Sequence, residues 1–193
     1  MAGSEKRVMD EIEIDGTAIA VHPPTRADMP ALARFAAMMP PHDLLFLARD
    51  IREHRVLEAW IAAVEAGEID SLVALTGGEI VATTANVSDP LSWSRHVTEI
   101  RLLVSPAFRN KGLGRRLLER AVARACDAGA TKLTARMTPD QAGAITLFEE
   151  CGFRAEALLR DHVRDAEGQP HDLALLALDP AREQGRREAF GES

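Results

Sequence analysis

The segment from Val97 to Gly114 constrains the fold more than any other stretch of the chain. It opens as a strand, with Val97, Glu99, Arg101 and Leu103 on one face and Ile100, Leu102 and Val104 on the other. It closes as the start of a helix, whose apolar positions Leu113, Leu117, Ala121, Val122 and Ala125 recur at helical spacing until Gly129 stops it. Only Ser105 to Gly112 separate the two, so strand and helix must pack as adjacent layers of one domain.

The other elements fit a single mixed α/β sheet. Ala18 to His22 reads as a strand, broken by Pro23-Pro24. Thr25 and Asp28 form a variant capping box before a helix carrying Leu32, Phe35, Ala36 and Met39. A second helical stretch is expected from His42 to Ala66, in one or two pieces, closed by Gly67. The period then changes. Ser71 to Thr76 and Glu79 to Asn86 are β-rich and meet at Gly77-Gly78, a hairpin signal. A polar loop with Pro90 and Trp93 leads into the strand that ends at Val104. Lys132 to Met137 predicts a strand, Gln141 to Glu150 a short helix, and Phe153 to Val163 with Asp172 to Leu178 a closing hairpin. The expected boundaries are a loose leader over 1–17, a domain over 18–179 and a charged tail over 180–193.

Composition removes several classes of function. A chain of 193 residues, 46% hydrophobic and 27% charged, suits one globular domain. No apolar run reaches the roughly 18 residues of a membrane span. The start, MAGSEKRVMDEIEIDG, lacks a secretory apolar core. Cys126 and Cys151 are too few for a disulfide framework and suit a reduced cytosol, so a cytoplasmic location is expected. The net charge of −7 and the lack of a sustained basic stripe argue against nucleic acid and mildly favour cationic small substrates. The six histidines show no His-x-x-x-His pairing, and no metal site is expected.

The junction itself carries chemistry. Amides at a helix start lack intrahelical acceptors, and the macrodipole adds partial positive charge there. Gly112 and Gly114 permit close approach of a ligand to the backbone, and Arg109, Lys111, Arg115 and Arg116 add full charges. Such a turn suits a pyrophosphate, although an ordinary strand-to-helix turn with solvated basic residues reads the same way.

Two motifs at a fitting separation narrow the choice. Arg109-Asn110-Lys111-Gly112-Leu113-Gly114 resembles the Arg/Gln-x-x-Gly-x-Gly/Ala coenzyme-binding motif of the GNAT superfamily of N-acetyltransferases, and Val104-Ser105-Pro106 resembles the Val-x-Pro that precedes it. Gln141 to Phe153 resembles the family's downstream Asn-x-x-Ala, aromatic and Gly-Phe pattern, with Gln141 in place of the asparagine. The resemblance covers Ala18 to Leu178 and is strongest from Val97 to Phe153. It implies a mostly antiparallel sheet with a parallel pair splayed at the cofactor strand, and helices on both faces.

The resemblance also implies an activity: an amine attacks the thioester of acetyl-CoA directly in a ternary complex. The backbone around Leu102, Leu103 and Val104 would pair with the pantetheine arm and polarise the thioester carbonyl. Arg109, Asn110, Lys111, Gly112, Leu113, Gly114 and Arg115 would hold the pyrophosphate, and Gln141 would bond to the arm. An alkylammonium has a pKa near 10.4 and must lose a proton before it attacks. Glu99 stands where family members often carry a glutamate and is the candidate base; the alternative is a structural pair with Arg101. Family members often use a tyrosine to protonate the departing thiolate. The matching residue here is Phe148, and the chain has no tyrosine. Phe148 is then expected to pack beside the cofactor arm, with no dedicated acid. The expected acceptor is a small-molecule or amino-acid amine, with a homodimer as a common assembly for such enzymes. A non-catalytic coenzyme-A sensor and a protein acetyltransferase are the rival readings.

Overall fold

The structure, a computed structural model, describes residues 10–183 and 185. Eight strands form one sheet in the order β1-β2-β3-β4-β5-β6-β8-β7. They are β1 (Asp10–Ile14), β2 (Thr17–His22), β3 (Ile69–Thr76), β4 (Glu79–Val87), β5 (Val97–Val104), β6 (Lys132–Met137), β7 (Arg154–Arg164) and β8 (Pro170–Leu178). Four helices cover it: α1 (Met29–Met38), α2 (His54–Glu65), α3 (Leu113–Asp127) and α4 (Ala142–Glu150).

All strand pairs are antiparallel except β5 with β6. That parallel pair runs only from Val97–Glu99 against Lys132–Thr134. Beyond it β4 stays paired with β5 as far as Val104, and β6 continues to Met137 against β8. The edge of β5 from Ile100 to Val104 therefore parts from β6 and keeps its strand partner on one side only.

Alternation along each strand divides the core. On one face α1, α2 and the turns after α1 bury Leu32, Phe35, Leu57 and Ile61 against Val73, Ile80 and Leu103. On the other, α3 and α4 cover Ile100, Leu133, Ala135 and Leu176, and α3 extends over Ile12, Ile19, Leu72 and Val81. Each fully buried Leu or Ile contributes about 1.5–3 kcal/mol to folding, so α3, with Leu113, Leu117 and Leu118 all sealed, is anchored along its length.

The capping box forms as expected. Asp28 Oδ2 accepts from the Thr25 amide at 2.9 Å and the Thr25 hydroxyl at 2.8 Å. Gly77 and Gly78 both take positive φ, as a tight β3–β4 turn requires.

Three expectations need correction. Residues 10–17 are not loose: β1 buries Ile12 and Ile14 beneath α3, and the Glu-Ile-Glu-Ile alternation that does this is a strand pattern in plain view. Residues 1–9 lie outside the described residues. The stretch from His42 to Ala66 holds one helix, α2, because Pro41–Leu44 tightens into a 3₁₀ turn and Asp50 draws in the Arg52 amide and guanidinium. In the expected tail, residues 180–183 make a helical turn, and residues 184 and 186–193 are outside the described set.

Candidate active site

The divergence of β5 from β6 opens a cleft of about 830 Å³. Its walls come from the open edge of β5 (Leu102, Leu103, Val104), the end of β6 (Arg136, Met137), the first turns of α3 and α4, and the 3₁₀ turn that carries His42 and Asp43.

At one end lies the β5–α3 loop. Asn110 and Gly112 both adopt positive φ, 58° and 85°, which reverses the chain into α3. Gly112 is the N-cap, and Arg116 is the first amide to bond back to it, at 3.2 Å. The amides of Leu113, Gly114 and Arg115 thus have no carbonyl one turn earlier to accept them, the usual state of a helix start and a suitable seat for phosphate oxygens. A Cβ on Gly114 would come within 3.1 Å of the Leu147 side chain and 3.5 Å of that of Val104. This glycine is what brings the α3 start against β5 and α4.

The basic residues of the loop are not equivalent. Arg109 Nη2 donates to Asp43 Oδ2 at 2.6 Å, and its Nε donates to the Val104 carbonyl at 3.1 Å. Arg115 pairs with Glu150 of α4. Lys111 Nζ sits 5.3 Å from the centre of the Phe108 ring. The Leu113 side chain is sealed in the core, as its place on the apolar face of α3 predicts, so only its backbone can face a ligand.

Gln141 closes the other end. Its Oε1 accepts from the Thr138 amide at 3.2 Å, and its Nε2 lies 3.4 Å from Asp43 Oδ1. The longer amide here ties the β6–α4 turn to the 3₁₀ turn. Phe148 is buried, packs edge-on against Phe153 with centroids 5.0 Å apart, and lines the cleft.

Glu99 occupies a different setting. Arg101 Nε donates to its Oε1 at 2.8 Å, and Arg136 Nη2 donates to its Oε2 at 2.6 Å. Both oxygens are engaged by guanidinium groups, and the residue does not itself line the cleft, although Arg136 does. A base role at Glu99 would require release of an oxygen from one of these pairs.

Sequence reasoning missed one cluster. His42 Nε2 is 2.8 Å from Asp140 Oδ2 and 3.1 Å from Thr138 Oγ1, and its ring meets that of His171 edge-on at 5.1 Å. His171 Nε2 is in turn 2.8 Å from Asp165 Oδ2. The Thr138 hydroxyl, and then the imidazole, hold the Asp140 carboxyl below its ordinary value. These residues are distant in sequence, so no local motif could have joined them. Among the described residues no group of three or more His, Cys, Asp and Glu could hold a metal, and no helix is long and apolar enough to cross a membrane.

The family model described as Acetyltransferase (GNAT) family matches residues 36–153. The chain belongs to this GNAT family. That match contains the β5–α3 loop, the α4 turn and the 3₁₀ turn that carries His42. Among curated proteins, the [ribosomal protein bS18]-alanine N-acetyltransferase of Salmonella typhimurium is 32% identical over 81 residues, 42% of this chain and 54% of that relative. The match thus spans about half the length of that relative. Among solved structures, a ribosomal-protein-alanine N-acetyltransferase from Brucella melitensis aligns over 82% of this chain and 98% of its own, with a TM-score of 0.72 at 22% identity. Spermidine N-acetyltransferase from Vibrio cholerae, in complex with CoA and spermine, aligns over 86% and 98%, with a TM-score of 0.71 at 15% identity. At these identities the structural likenesses establish the GNAT fold alone.

Proposed function

We propose that this GNAT protein binds acetyl-CoA in the β5–β6 cleft and transfers its acetyl group to a primary amine of a small molecule or amino acid. The observation that carries this reading is the adjacency of the open Ile100–Val104 edge to the unpaired amides of Leu113, Gly114 and Arg115. An amide-bearing arm can pair with the first as an added strand, while a pyrophosphate meets the second. The cleft residues fit that cofactor: Leu102 and Val104 give the arm an apolar wall, Gly112 and Gly114 keep the loop backbone accessible, and Arg109, Lys111 and Arg115 supply positive charge.

When bound, acetyl-CoA supplies an activated acyl carbon. The protein's own part is to orient it and to manage protons. A β5 amide beside the cleft donates to the thioester oxygen as negative charge develops there, in the manner of an oxyanion hole. Phe148 keeps water from the arm and has no proton to give, so the leaving thiolate, of ordinary pKa near 8.5, departs without a tyrosine. Arg136, held by Glu99, presents a cation to the cleft and can steer a carboxylate on the acceptor or on a neighbouring group.

The phenylalanine at this position favours a second reading, a coenzyme-A-binding module without turnover. One experiment separates the two. Coenzyme A binding is measured by titration calorimetry, and thiol release from acetyl-CoA is followed with spermidine, free amino acids and a peptide beginning with alanine. Binding together with turnover of any amine supports the enzyme. Binding without turnover supports the sensor, and absence of binding rejects both. Preference for the alanine peptide over the small amines would assign the acceptor to protein N-termini instead.

A further inference from the structure

The proton acceptor is better sought on the turn opposite β5 than on β5 itself. We propose that His42, held by Asp140 and Thr138, takes the surplus proton that the amine nitrogen sheds as it attacks; this rests on the acyl-transfer reading above.

On this proposal Nε2 carries the hydrogen: it lies 2.8 Å from an Asp140 carboxylate oxygen, which can only accept, and 3.1 Å from the Thr138 oxygen, which can accept as well. The Thr138 hydroxyl has a hydrogen of its own to give, and it is the main influence that holds the Asp140 carboxyl below its ordinary value. Nδ1 is then the basic nitrogen, and it has no hydrogen-bond partner among the described residues. An imidazole tethered through one nitrogen to a carboxylate, with the other nitrogen free, is the arrangement by which an acid side chain fixes a tautomer and stabilises the imidazolium that forms.

The charged groups named beside His42 have partners of their own. Asp43, on the same turn, is occupied by Arg109 and lies 3.4 Å from Gln141. Asp140 and Thr138 come from the β6–α4 turn. His171 comes from β8 and is held by Asp165. Arg136 lines the same cleft and is held by Glu99. His42 is thus the one group in this set that lines the cleft, can accept a proton near neutral pH and has a nitrogen to spare. Glu99, with an arginine on each oxygen, has neither the cleft position nor an uncommitted atom.

The proton count closes without a further acid. The ammonium first releases one proton to water. The amine nitrogen then forms its bond to the acetyl carbon while its remaining surplus proton passes to Nδ1. The C–S bond breaks with its electron pair on sulfur, and the imidazolium returns the proton to the thiolate. One histidine would thereby serve both halves of the reaction in a chain without tyrosine.

The test uses the full chain and three variants, His42→Gln, Asp140→Asn and Glu99→Gln. Nitrogen-15 spectra of the imidazoles, with His42 assigned by its loss in His42→Gln, should give the Nε2–H tautomer in the wild type and a mixed tautomer in Asp140→Asn. A wild-type ring protonated on Nδ1 overturns the proposal whatever the activity, because Nδ1 would have no lone pair to offer. With spermidine and the alanine peptide as acceptors, His42→Gln should lower kcat about 100-fold or more and lose the acidic limb of the pH–rate profile, with coenzyme A affinity held. Glu99→Gln should keep that limb. Loss of the limb in Glu99→Gln but not in His42→Gln, or a loss of activity in His42→Gln that follows loss of coenzyme A binding, overturns the assignment. If the wild type turns over none of spermidine, the free amino acids and the alanine peptide, the acyl-transfer reading is what fails, and the tautomer measurement still decides whether His42 is poised as described.

Discussion

Arg109 and Asp43 meet across the cleft, with Nη2 2.6 Å from Oδ2, so the first residue of the glycine-bearing motif is already neutralised by a carboxylate from the turn after α1. A phosphate oxygen that approaches this guanidinium must compete with Asp43. Asp43→Asn should therefore strengthen coenzyme A binding about threefold to tenfold, the worth of a partly exposed ion pair at about 1 kcal/mol. Titration calorimetry checks this, and unchanged or weaker binding would mean that Asp43 supports the site rather than competes for it.

Gly112 takes φ of 85°, a conformation that costs a side-chain-bearing residue about 1–2 kcal/mol. Gly112→Ala should lower the melting temperature by several degrees. It should also weaken coenzyme A binding, because relaxing the turn re-aims the amides of Leu113, Gly114 and Arg115. A variant with unaltered affinity would show that the left-handed turn is not what presents those amides.

Glu99 sits between Arg101 and Arg136, all three partly buried. Glu99→Gln leaves two guanidiniums facing a neutral amide and should destabilise the fold by about 1–2 kcal/mol, less than a fully buried pair would lose. The double variant Glu99→Gln, Arg136→Gln should cost less than the sum of the two single changes. Urea unfolding of the four proteins measures the coupling, and strict additivity would argue that the pair contributes nothing.

Phe148 packs against Phe153 inside the core between α4 and β8. Phe148→Ala should cost about 3–5 kcal/mol, through lost burial and a cavity beside the cleft. A thermal shift near zero would mean that the ring is held by the cleft edge rather than by the core.

Acid should weaken the cluster around His42. Asp140 titrates below its ordinary value because of Thr138 first and His42 next, and Asp165 does so because of His171. A folded-state value below the unfolded one stabilises the protein above about pH 4, and that contribution is lost as pH falls through the lowered folded value. Asp140→Asn should therefore be less stable than wild type at pH 6, with the gap closing below about pH 4. Urea midpoints across that range test this, and a gap that persists at low pH would locate the effect of Asp140 elsewhere than in its charge.

Burial raises the thiol of Cys126, with the Asp127 carboxylate adding to it. Its alkylation by iodoacetamide at pH 7.5 should be slower than that of a free cysteine, because less of it is thiolate. Mass spectrometry of the Cys126 peptide over time measures the rate.

Much of this protein follows from local sequence. The turn glycines at 77 and 78, the Thr25–Asp28 cap, the two-sided alternation of β5 and the strand-to-helix junction at Val104–Gly114 all depend on the few residues beside them, so their periods and backbone preferences could be read directly. The same local logic was available for β1, where Glu-Ile-Glu-Ile alternates, but its surroundings are so polar that the pattern looked like a loose leader. Pairing was not available in this way. Nothing in the residues around Glu99 discloses that Arg136, from another strand, takes its second oxygen, or that Asp43 crosses to Arg109. The separation of β5 from β6 after Glu99, and the meeting of His42 with Asp140 and His171, likewise bring together side chains far apart along the chain. Such contacts are set by how the sheet and its two helical layers pack. The sequence by itself determined where a strand gives way to a helix through a glycine-bearing turn; the tertiary structure alone decided which charges that turn meets and which side chains gather around His42.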